Sequence, residues 1–447
     1  MTTTLLETCR ILPPPTDEVS IPLSFFDMKW LHFHPLRRLL FYDHPCSKPQ
    51  FLDAIVPHLK QSLSLTLKHY LPVAGNLLYP SSNTDQKPRL RCVAGDSVPL
   101  TIAESTTDFD MLTGNHARDA DQFYDFVAPM PPIAEEFECK IVPVFSLQVT
   151  LFPGRGICIG LSNHHCLGDA RSVVGFVLAW ASINKFGGDE EFLSENGESL
   201  PIFDRSLIKD PLEIDTIFWK VLRNIPLKPS SFPLPTNRVR ATFVLSQSDI
   251  KRLKHLANNN LVQPSSFVVA AAYIWSCMVK SGDGGEANAP ELFVIPADAR
   301  GRTNPPVPAN YFGNCIVGGV VKVEHEKMAG NEGFVIAAEA IAGEIKNKMN
   351  DKEEILKGAE NWLSEIWKCM GMSVLGISGS PKFDLSNADF GWGKARKLEV
   401  VSIDGEKYTM SLCNSDCGLE VGLSLPGERM EAFAAIFADG LAKLDSS

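Results

Sequence analysis

The sequence predicts an α/β protein built from two halves of similar size. Its 447 residues exceed what one ordinary hydrophobic core supports, so two domains are expected. Each half mixes segments of strand periodicity with segments of helical periodicity. An acidic, weakly patterned stretch at 187–215 and a proline-rich segment at 226–235 separate the halves. We therefore expect an N-terminal domain at 1–195, a crossover linker at 196–240 and a C-terminal domain at 241–447.

The N-terminal half contains the clearest pair of strands. Apolar and polar residues alternate over 145–151, a turn follows at 153–156, and alternation resumes over 157–161. This pattern predicts a β-hairpin. The apolar run after the hairpin predicts a helix at about 170–186, and leucines at helical spacing predict an earlier helix over 59–70.

The C-terminal half follows the same mixed pattern. Ser265-Ser266 precedes an apolar helix that continues to Met278, and a last helix carries Met430 and Leu441 on one face. The other predicted segments are strands at 239–245, 292–296, 319–323, 398–403, 407–412 and 419–425, and helices near 250–257 and 333–348. Both halves are therefore expected to be layers of sheet and helix.

Composition excludes several classes of protein. A net charge of −11 argues against nucleic acid or an anionic membrane as the main partner. Eleven scattered cysteines without a CxxC pair are typical of reduced thiols and not of a zinc site. No secretory signal and no apolar run of about 20 residues is visible. We expect a soluble, cytoplasmic, monomeric protein without a bound metal.

A histidine motif lies where the predicted hairpin meets the predicted helix. The segment reads Asn163-His164-His165-Cys166-Leu167-Gly168-Asp169, and only the second histidine has an acid four residues later. One helical turn is 3.6 residues, so Asp169 would lie on the same side of a first turn as His165. His165 is therefore a candidate general base. The motif is short, and by itself it leaves a buried structural histidine or part of a metal site equally open.

Two further motifs accompany the histidine motif in the order typical of one enzyme family. They are Asn310-Tyr311-Phe312-Gly313-Asn314-Cys315 and Asp389-Phe390-Gly391-Trp392-Gly393. With them, essentially the whole chain resembles the BAHD acyl-CoA-dependent acyltransferases of plants, and the first motif marks their anthocyanin and flavonoid glucoside branch. The resemblance implies two mixed-sheet domains like those of chloramphenicol acetyltransferase, with residues 371–395 packed on the first. It also implies a substrate tunnel between the domains, with acyl-CoA as co-substrate and no further cofactor.

The resemblance implies a role for each motif residue. His165 would take the proton of the acceptor hydroxyl as that hydroxyl attacks the thioester. Asp169 would face away from His165 and pair with Arg300, which is a structural role. The alternative is a catalytic dyad in which Asp169 orients His165. Asp389 is a candidate catalytic residue, although an aspartate beside glycines also suits a tight turn. Trp392 would line the site, and its Nε1 or backbone N–H groups are candidate donors to the oxyanion.

Phosphates and pantetheine of CoA need local donors on this acidic chain. Ser265 and Ser266 at a predicted helix start offer hydroxyl and free N–H groups, although an ordinary helix cap explains them equally well. Arg302 could form an ion pair within the protein or contact the ligand. Ser378 and Ser380 around a glycine form another candidate backbone cradle.

The acyl donor is expected to be malonyl-CoA. Arg37-Arg38 could bind the second carboxylate of a malonyl group, and the alternative is a pair of solvated arginines on a helix. Residues 393–407 also resemble hydroxycinnamoyl-transferring relatives, so an aromatic acyl donor is the second hypothesis. The expected acceptor is the glucose 6-hydroxyl of an anthocyanin or another flavonoid glucoside. A thioester or ester hydrolase and a non-catalytic flavonoid binder are remoter alternatives.

Overall fold

The computed structural model describes residues 3–81, 86–227, 234–257, 263–282, 284–350, 355–369, 371–405 and 408–445. The strands in chain order are β1 (Thr3–Ile11), β2 (Val19–Pro22), β3 (Leu36–Tyr42), β4 (Asn76–Pro80), β5 (Arg89–Cys92), β6 (Val98–Ser105), β7 (Arg118–Asp119), β8 (Ala134–Glu136), β9 (Cys139–Pro143), β10 (Phe145–Phe152), β11 (Gly156–Asn163), β12 (Val239–Ser246), β13 (Pro290–Asp298), β14 (Ile316–Glu324), β15 (Ser373–Ser378), β16 (Lys397–Val400), β17 (Thr409–Ser415) and β18 (Gly418–Leu425).

Helices cover the sheets. The α-helices are α1 (Phe25–Met28), α2 (Lys48–Gln50), α3 (Val56–His69), α4 (Phe109–Thr113), α5 (Ala170–Phe186), α6 (Glu190–Asn196), α7 (Ile214–Leu222), α8 (Gln247–Ala257), α9 (Ser266–Lys280), α10 (His325–Ala329), α11 (Gly333–Glu344), α12 (Trp362–Lys368) and α13 (Gly427–Asp445). Short 3₁₀ segments include His165–Leu167, Arg205–Leu207, Arg300–Arg302 and Val401–Gly405, and α11 continues into a π-helical turn at Ile345–Met349.

The described strands form three sheets. A six-stranded mixed sheet has the order β1-β6-β10-β11-β3-β16, and a five-stranded sheet has the order β2-β5-β4-β9-β8. A seven-stranded mixed sheet, β14-β13-β15-β17-β18-β12-β7, forms the C-terminal half. Each half has its own large hydrophobic cluster. The predicted class, α/β with two mixed-sheet halves, is confirmed.

The predicted hairpin is the centre of the first sheet. β10 and β11 pair antiparallel from Phe145 opposite Asn163 to Phe152 opposite Gly156. Both strands are buried along their whole length, because an aromatic cluster that includes Phe41 and Phe109 covers one face and the main core covers the other. β11 also pairs with β3, so its end is held on both sides.

The helix after the hairpin begins and ends as the sequence predicts. Asp169 is its N-cap, and the Asp169 carboxylate accepts a hydrogen bond from the backbone N–H of Ser172. Gly187 ends the helix in a left-handed conformation with φ of 77°. The apolar run of α5 packs against α3 and carries the fully buried Trp180. The segment before α5 is therefore fixed between a buried strand and a buried helix.

The two halves exchange strands, which corrects the expected domain boundaries. β16 pairs with β3 in the N-terminal sheet, although 398–403 was expected in the C-terminal domain. β7 pairs with β12 in the C-terminal sheet. Within 371–395, β15 belongs to the C-terminal sheet, and packing on the N-terminal core begins near Phe383. Short strands such as these carry no signal that says which sheet they join.

The expected linker is also more structured than the sequence suggests. α7 lies within 196–240, and it buries Phe218, Trp219 and Leu222 in the N-terminal core. This part of the segment is therefore a piece of the first domain and not a free crossover. Residues 228–233 of the expected linker lie outside the described residues.

Candidate active site

His165 lies at the junction between β11 and α5. The strand ends at Asn163, and His164 caps the 3₁₀ turn by accepting a hydrogen bond from the Cys166 backbone N–H at its Nδ1 (3.2 Å). Asn314 from the other half donates from Nδ2 to the carbonyl oxygen of His165 (2.9 Å). The candidate base is therefore anchored from both halves of the molecule.

Aromatic rings enclose the imidazole of His165. Trp30 stacks on it with ring centroids 3.9 Å apart and an interplanar angle of 2°. Phe33 meets it edge-on at 5.6 Å. His165 is only 7% exposed, and its Nδ1 is buried without a hydrogen bond to another described residue. Trp30 therefore covers one face of the imidazole of His165.

Burial and nearby cations keep the imidazole neutral. Burial is the main reason that the pKa of His165 falls to about 3, and its own backbone carbonyl opposes this change. The positive charges of Arg38 and Lys29 lower the pKa further. A neutral imidazole is the form that can accept a proton, so His165 is in its basic form at any physiological pH.

Among the described residues, the Asp169 carboxylate is hydrogen-bonded to Arg300, Ser172 and Cys315 and not to His165. Its two carboxylate oxygens accept from Arg300 at 2.8 Å and 3.0 Å in a bidentate pair, and Cys315 donates its backbone N–H to Oδ2 at 3.0 Å. Ser172 adds backbone and hydroxyl donors at 3.1 Å. These partners occupy both oxygens, so the geometry favours the structural role of Asp169 over a dyad.

The segment 310–315, called the strap below, connects the C-terminal half to the turn that carries His165. The Gly313 carbonyl accepts from Arg300 (3.0 Å) and from the Ser172 hydroxyl (2.9 Å). Gly313 has φ of 151°, and a Cβ here would lie 2.7 Å from the guanidinium carbon of Arg205. Glycine is required at this close approach. The sequence identified this segment as a marker of a family branch, and its role in holding the site appears only in three dimensions.

A second buried ion pair supports the same strap. Arg205 Nε donates to Asp27 Oδ2 at 3.0 Å, and Asn314 donates from its backbone and from Nδ2 to Asp27 Oδ1 at 2.9 Å and 3.0 Å. Ser24 caps α1 and also donates to Asp27. Sequence reasoning missed Asp27 and Arg205 as site residues. The Ser24–Asp27 capping box was the available signal, but it predicts only a helix start.

Arg38 lies on a strand and not on a helix. The alternative of two solvated arginines on a helix is therefore wrong. β3 carries Arg37 and Arg38, which are 9% and 6% exposed. Arg38 Nη1 donates to the Asn163 side-chain oxygen at 3.3 Å. Burial lowers the pKa of Arg38 to about 10, partly offset by the Cys413 thiol. The structure thus places a largely buried guanidinium within electrostatic reach of His165.

Asp389 and Trp392 lie at the other end of α5. Asp389 pairs with Lys185 at 2.8 Å and accepts the backbone N–H groups of Gly391 and Gly393. Lys185 is in the last turn of the 17-residue α5, and His165 precedes the first, so about 25 Å separates them at 1.5 Å per residue. This placement argues against direct catalysis by Asp389, whose carboxylate closes a glycine turn.

Trp392 is equally remote from the imidazole. Its ring stacks on His44 at 5.2 Å and meets Tyr42 edge-on at 5.4 Å. Tyr42 pairs with Ile157, six residues before the end of β11, a separation of about 20 Å at the rise of a strand. Trp392 therefore cannot donate to an oxyanion formed beside His165.

The expected CoA-binding residues all lie in the C-terminal half. Ser265 caps α9 by accepting from the Val268 N–H at 3.2 Å, and Ser266 begins that helix. Arg302 donates to the Asp298 carbonyl at 3.3 Å. Ser378 ends β15, and the Ser380 hydroxyl accepts from the backbone N–H of Lys382. These hydrogen-bond partners of Ser265, Arg302 and Ser380 lie within a few positions of them in sequence.

The described residues contain neither a metal-binding cluster nor a membrane-spanning helix. No group of three or more His, Cys, Asp or Glu side chains there is arranged to hold a metal ion. Within the same ranges, no helix has both the length and the apolar character needed to cross a bilayer.

Comparison with known proteins identifies relatives over nearly the whole chain. A malonyl-coenzyme:anthocyanin 5-O-glucoside-6'''-O-malonyltransferase from Salvia splendens is 68% identical, with 98% of this chain and 95% of that protein aligned. A phenolic glucoside malonyltransferase from Nicotiana tabacum is 44% identical over 98% and 99%. A coumaroyl-CoA:anthocyanidin 3-O-glucoside-6''-O-coumaroyltransferase from Arabidopsis thaliana is 35% identical over 98% and 97%.

Solved structures and a family model agree with these relatives. Vinorine synthase superimposes with a TM-score of 0.71 at 22% identity, covering 96% of each chain. TRI101 of F. graminearum, solved with ethyl coenzyme A, superimposes with 0.69 at 16% identity, covering 94% of this chain and 97% of that one. The model of the Transferase family matches residues 1–439. The chain therefore belongs to this family, the BAHD acyltransferases, as an acyl-CoA-dependent O-acyltransferase.

Proposed function

We propose that this enzyme transfers a malonyl group from malonyl-CoA to the glucose 6-hydroxyl of an anthocyanin or flavonoid glucoside, with His165 as general base. The observation that carries the proposal is the buried imidazole of His165, held where both halves meet and close to Arg38 and Lys29, two cations that form no ion pair within the described residues. The malonyl-transferring relatives from Salvia, Nicotiana and Dahlia, at 68%, 44% and 42% identity, support the same substrates.

His165 moves one proton in this reaction. The buried Nδ1 leaves Nε2 to accept the proton of the sugar hydroxyl as the hydroxyl oxygen bonds to the thioester carbon. The tetrahedral intermediate then collapses, the carbon–sulfur bond breaks, and the CoA thiolate takes the proton back from the imidazolium. Asp169 and Arg300 would act by fixing the turn that carries His165, through their bidentate pair.

The charge beside His165 favours malonyl over an aromatic acyl group. An aromatic acyl donor is the second candidate, because the Arabidopsis coumaroyltransferase is 35% identical. A coumaroyl group carries no carboxylate, and it would leave the guanidinium of Arg38 buried without an anion. A buried cation without an anion is costly, whereas a charge-assisted hydrogen bond to a carboxylate is favourable.

CoA itself is proposed to bind along the C-terminal half. The N-terminus of the 15-residue α9, with Ser265 and Ser266, offers N–H groups and a favourable dipole to phosphate. Arg302, Ser378 and Ser380 are the other proposed contacts, and each has donor capacity beyond its local partner. No further cofactor is proposed.

Thiol chemistry supports a cytoplasmic location. All eleven cysteines are free, and the buried Cys158 and Cys166 have pKa values raised by burial, so they are inert thiols. We propose that the enzyme works in the cytosol as a monomer.

One assay separates this function from its alternatives. The enzyme is incubated with an anthocyanin glucoside and either malonyl-CoA or coumaroyl-CoA, and the product masses are measured by mass spectrometry. The expected result is a mass gain of one malonyl group, lost in His165→Ala. A coumaroyl gain would show an aromatic transferase, free CoA without gain a hydrolase, and binding without turnover a non-catalytic binder.

Arg38 gives a prediction about the acyl donor. Arg38→Ala should raise the KM for malonyl-CoA far more than the KM for acetyl-CoA, because acetyl lacks the carboxylate that Arg38 would bind. A tenfold or larger difference is expected, equal to about 1.4 kcal/mol. Arg37→Ala is the matched control, since neighbouring strand residues point to opposite faces of the sheet. Equal effects of Arg38→Ala on both acyl donors would remove the role of its charge.

A further inference from the structure

Lys29 is a cation near His165 that forms no ion pair with another described residue. It follows α1 directly and is half-buried. Its Nζ donates to the Ile316 carbonyl at 2.5 Å and lies 5.1 Å from the ring centroid of Trp30 and 5.0 Å from that of Trp362. Within the described ranges, no carboxylate lies within ion-pair distance of Lys29. Its surroundings are a carbonyl dipole and aromatic faces.

The nearest acids already have partners. Asp27 is bonded by Arg205 and Asn314, and Asp169 is bonded by Arg300. They attract Lys29 at longer range, yet burial still lowers the pKa of the ammonium to about 8. The site around His165 therefore has a local surplus of positive charge, although the whole chain has a net charge of −11. Such a surplus is stabilised when an anion binds.

The position of Lys29 matches the shape of a malonyl thioester. Nζ is 5.1 Å from the centroid of Trp30, which is itself 3.9 Å from that of His165, so Nζ lies within about 9 Å of the imidazole. The two carbonyl carbons of a malonyl group are only about 2.5 Å apart, since two single bonds of about 1.5 Å join them. A malonyl group whose thioester carbon reacts beside His165 therefore has its free carboxylate close enough to be attracted by the Lys29 ammonium.

We propose that Lys29 binds the free carboxylate of the malonyl donor and makes the enzyme select malonyl-CoA over neutral acyl-CoA. The inference deepens the proposed function and rests on it. Lys29 differs from Arg38 in its place: it follows α1 and contacts Trp30, whereas Arg38 lies on β3 and contacts Asn163. The two cations would approach the carboxylate from different elements.

Binding at Lys29 would also strengthen the base. The charge of Lys29 is one of the causes that lower the pKa of His165. A malonyl carboxylate paired with Lys29 cancels that charge, so the imidazole accepts the acceptor's proton more readily in the malonyl complex. An acetyl group gives no such help. Selectivity should therefore appear in kcat as well as in KM.

Replacement of Lys29 by an uncharged side chain of similar length tests the inference. Lys29→Met should lower kcat/KM for malonyl-CoA by about 30-fold, equivalent to about 2 kcal/mol, while leaving kcat/KM for acetyl-CoA unchanged or raised. Lys29→Arg, which keeps the charge, should restore most of the malonyl activity. Calorimetric Kd values for malonyl-CoA and acetyl-CoA without acceptor should show the same difference, even if acetyl transfer is slow.

The outcomes separate this inference from the function on which it rests. If the wild-type enzyme transfers no malonyl group, the proposed function fails and the inference fails with it. If the wild-type enzyme transfers malonyl but Lys29→Met weakens both acyl donors equally, or neither, only the role of Lys29 is overturned. Thermal unfolding of each variant shows whether the fold is intact, and Lys29→Gln replaces Lys29→Met if it is not.

Discussion

Trp30 and His165 stack almost in parallel, and this contact sets the chemistry of the site at the scale of single residues. The indole covers one face of the imidazole and keeps water from it, and the missing hydration lowers the pKa of His165 to about 3. Lys29 and Arg38 act in the same direction through their charges. A histidine kept neutral in this way is available as a base but is a weak one.

The depressed pKa predicts an unusual pH profile. For an ordinary histidine of pKa about 6.5, kcat/KM at pH 5 would fall about 30-fold, because only a few per cent of the base would be neutral. Here the folded pKa is lower than the unfolded one, so the acid limb moves below pH 5. With acetyl-CoA as acyl donor, kcat/KM should change less than twofold between pH 8 and pH 5.

Circular dichroism at each pH is the control for that measurement. Histidines buried in neutral form, including His34 and His164 with pKa values lowered to about 4, lose their stabilising contribution as the pH falls below about 6.5. A drop in rate at pH 6.5 without loss of structure would show that His165 titrates normally.

At the scale of elements, α5 organises the site through its two ends. Its N-cap, Asp169, is tied to Arg300 and to the backbone of Cys315, so the helix start, the strap at 310–315 and the turn of His165 form one unit. The far end of α5 holds Asp389 through Lys185. The motif at 165–169 and the motif at 389–393 therefore hold opposite ends of the same helix. Only the first lies beside the imidazole of His165.

Asp169→Asn tests this structural reading. The change leaves the buried guanidinium of Arg300 without its bidentate partner, a loss of about 3–5 kcal/mol in the free energy of unfolding. Thermal unfolding and turnover should fall together. Asp298→Asn is the matched control, because it removes the other, more exposed carboxylate on the same arginine, at 2.9 Å. Normal stability with selective loss of turnover in Asp169→Asn would instead favour a catalytic dyad.

At the scale of the whole molecule, buried charges join the two halves. Arg240 on β12 contacts Glu399 on β16 at 3.0 Å and Asp404 at 2.5 Å, and Arg118 on β7 contacts Glu399 at 2.8 Å. These strands belong to opposite sheets or cross between them. The network holds the halves in the register that brings Asn314 and Arg300 to the His165 turn.

Glu399→Gln should weaken this connection. It leaves two buried guanidinium groups with one carboxylate, and a loss of about 3–5 kcal/mol is expected in thermal unfolding. Glu104→Gln, which breaks the exposed pair with Lys48, is the control and should cost less than about 1 kcal/mol.

The acid dependence of Glu399 follows from its charge. Burial raises the pKa of Glu399, but Arg240, Arg118 and Lys397 together lower it below the usual value. Its stabilising effect is therefore complete above about pH 4.5 and disappears as the pH falls through the folded pKa. Below the folded pKa of Glu399, Glu399→Gln and the wild type should have the same free energy of unfolding. A difference in this free energy that stays constant at every pH would contradict the role of the charge.

Local pattern determined much of this protein. The hairpin of β10 and β11 and the approximate span of α5 follow from alternation and apolar periodicity. These features depend on neighbouring residues alone, so the sequence was sufficient to place His165 at a strand-to-helix junction.

Only the tertiary structure decided the rest. Trp30 stacks on His165 across more than 130 positions, Arg205 pairs with Asp27 across 178, and β16 joins the sheet of the other half. Asp389 and Trp392, prominent in sequence, lie some 20–25 Å from the imidazole by the rise of strand and helix. Contacts between distant segments depend on how whole sheets and helices pack, and that information is not written in any short stretch of residues.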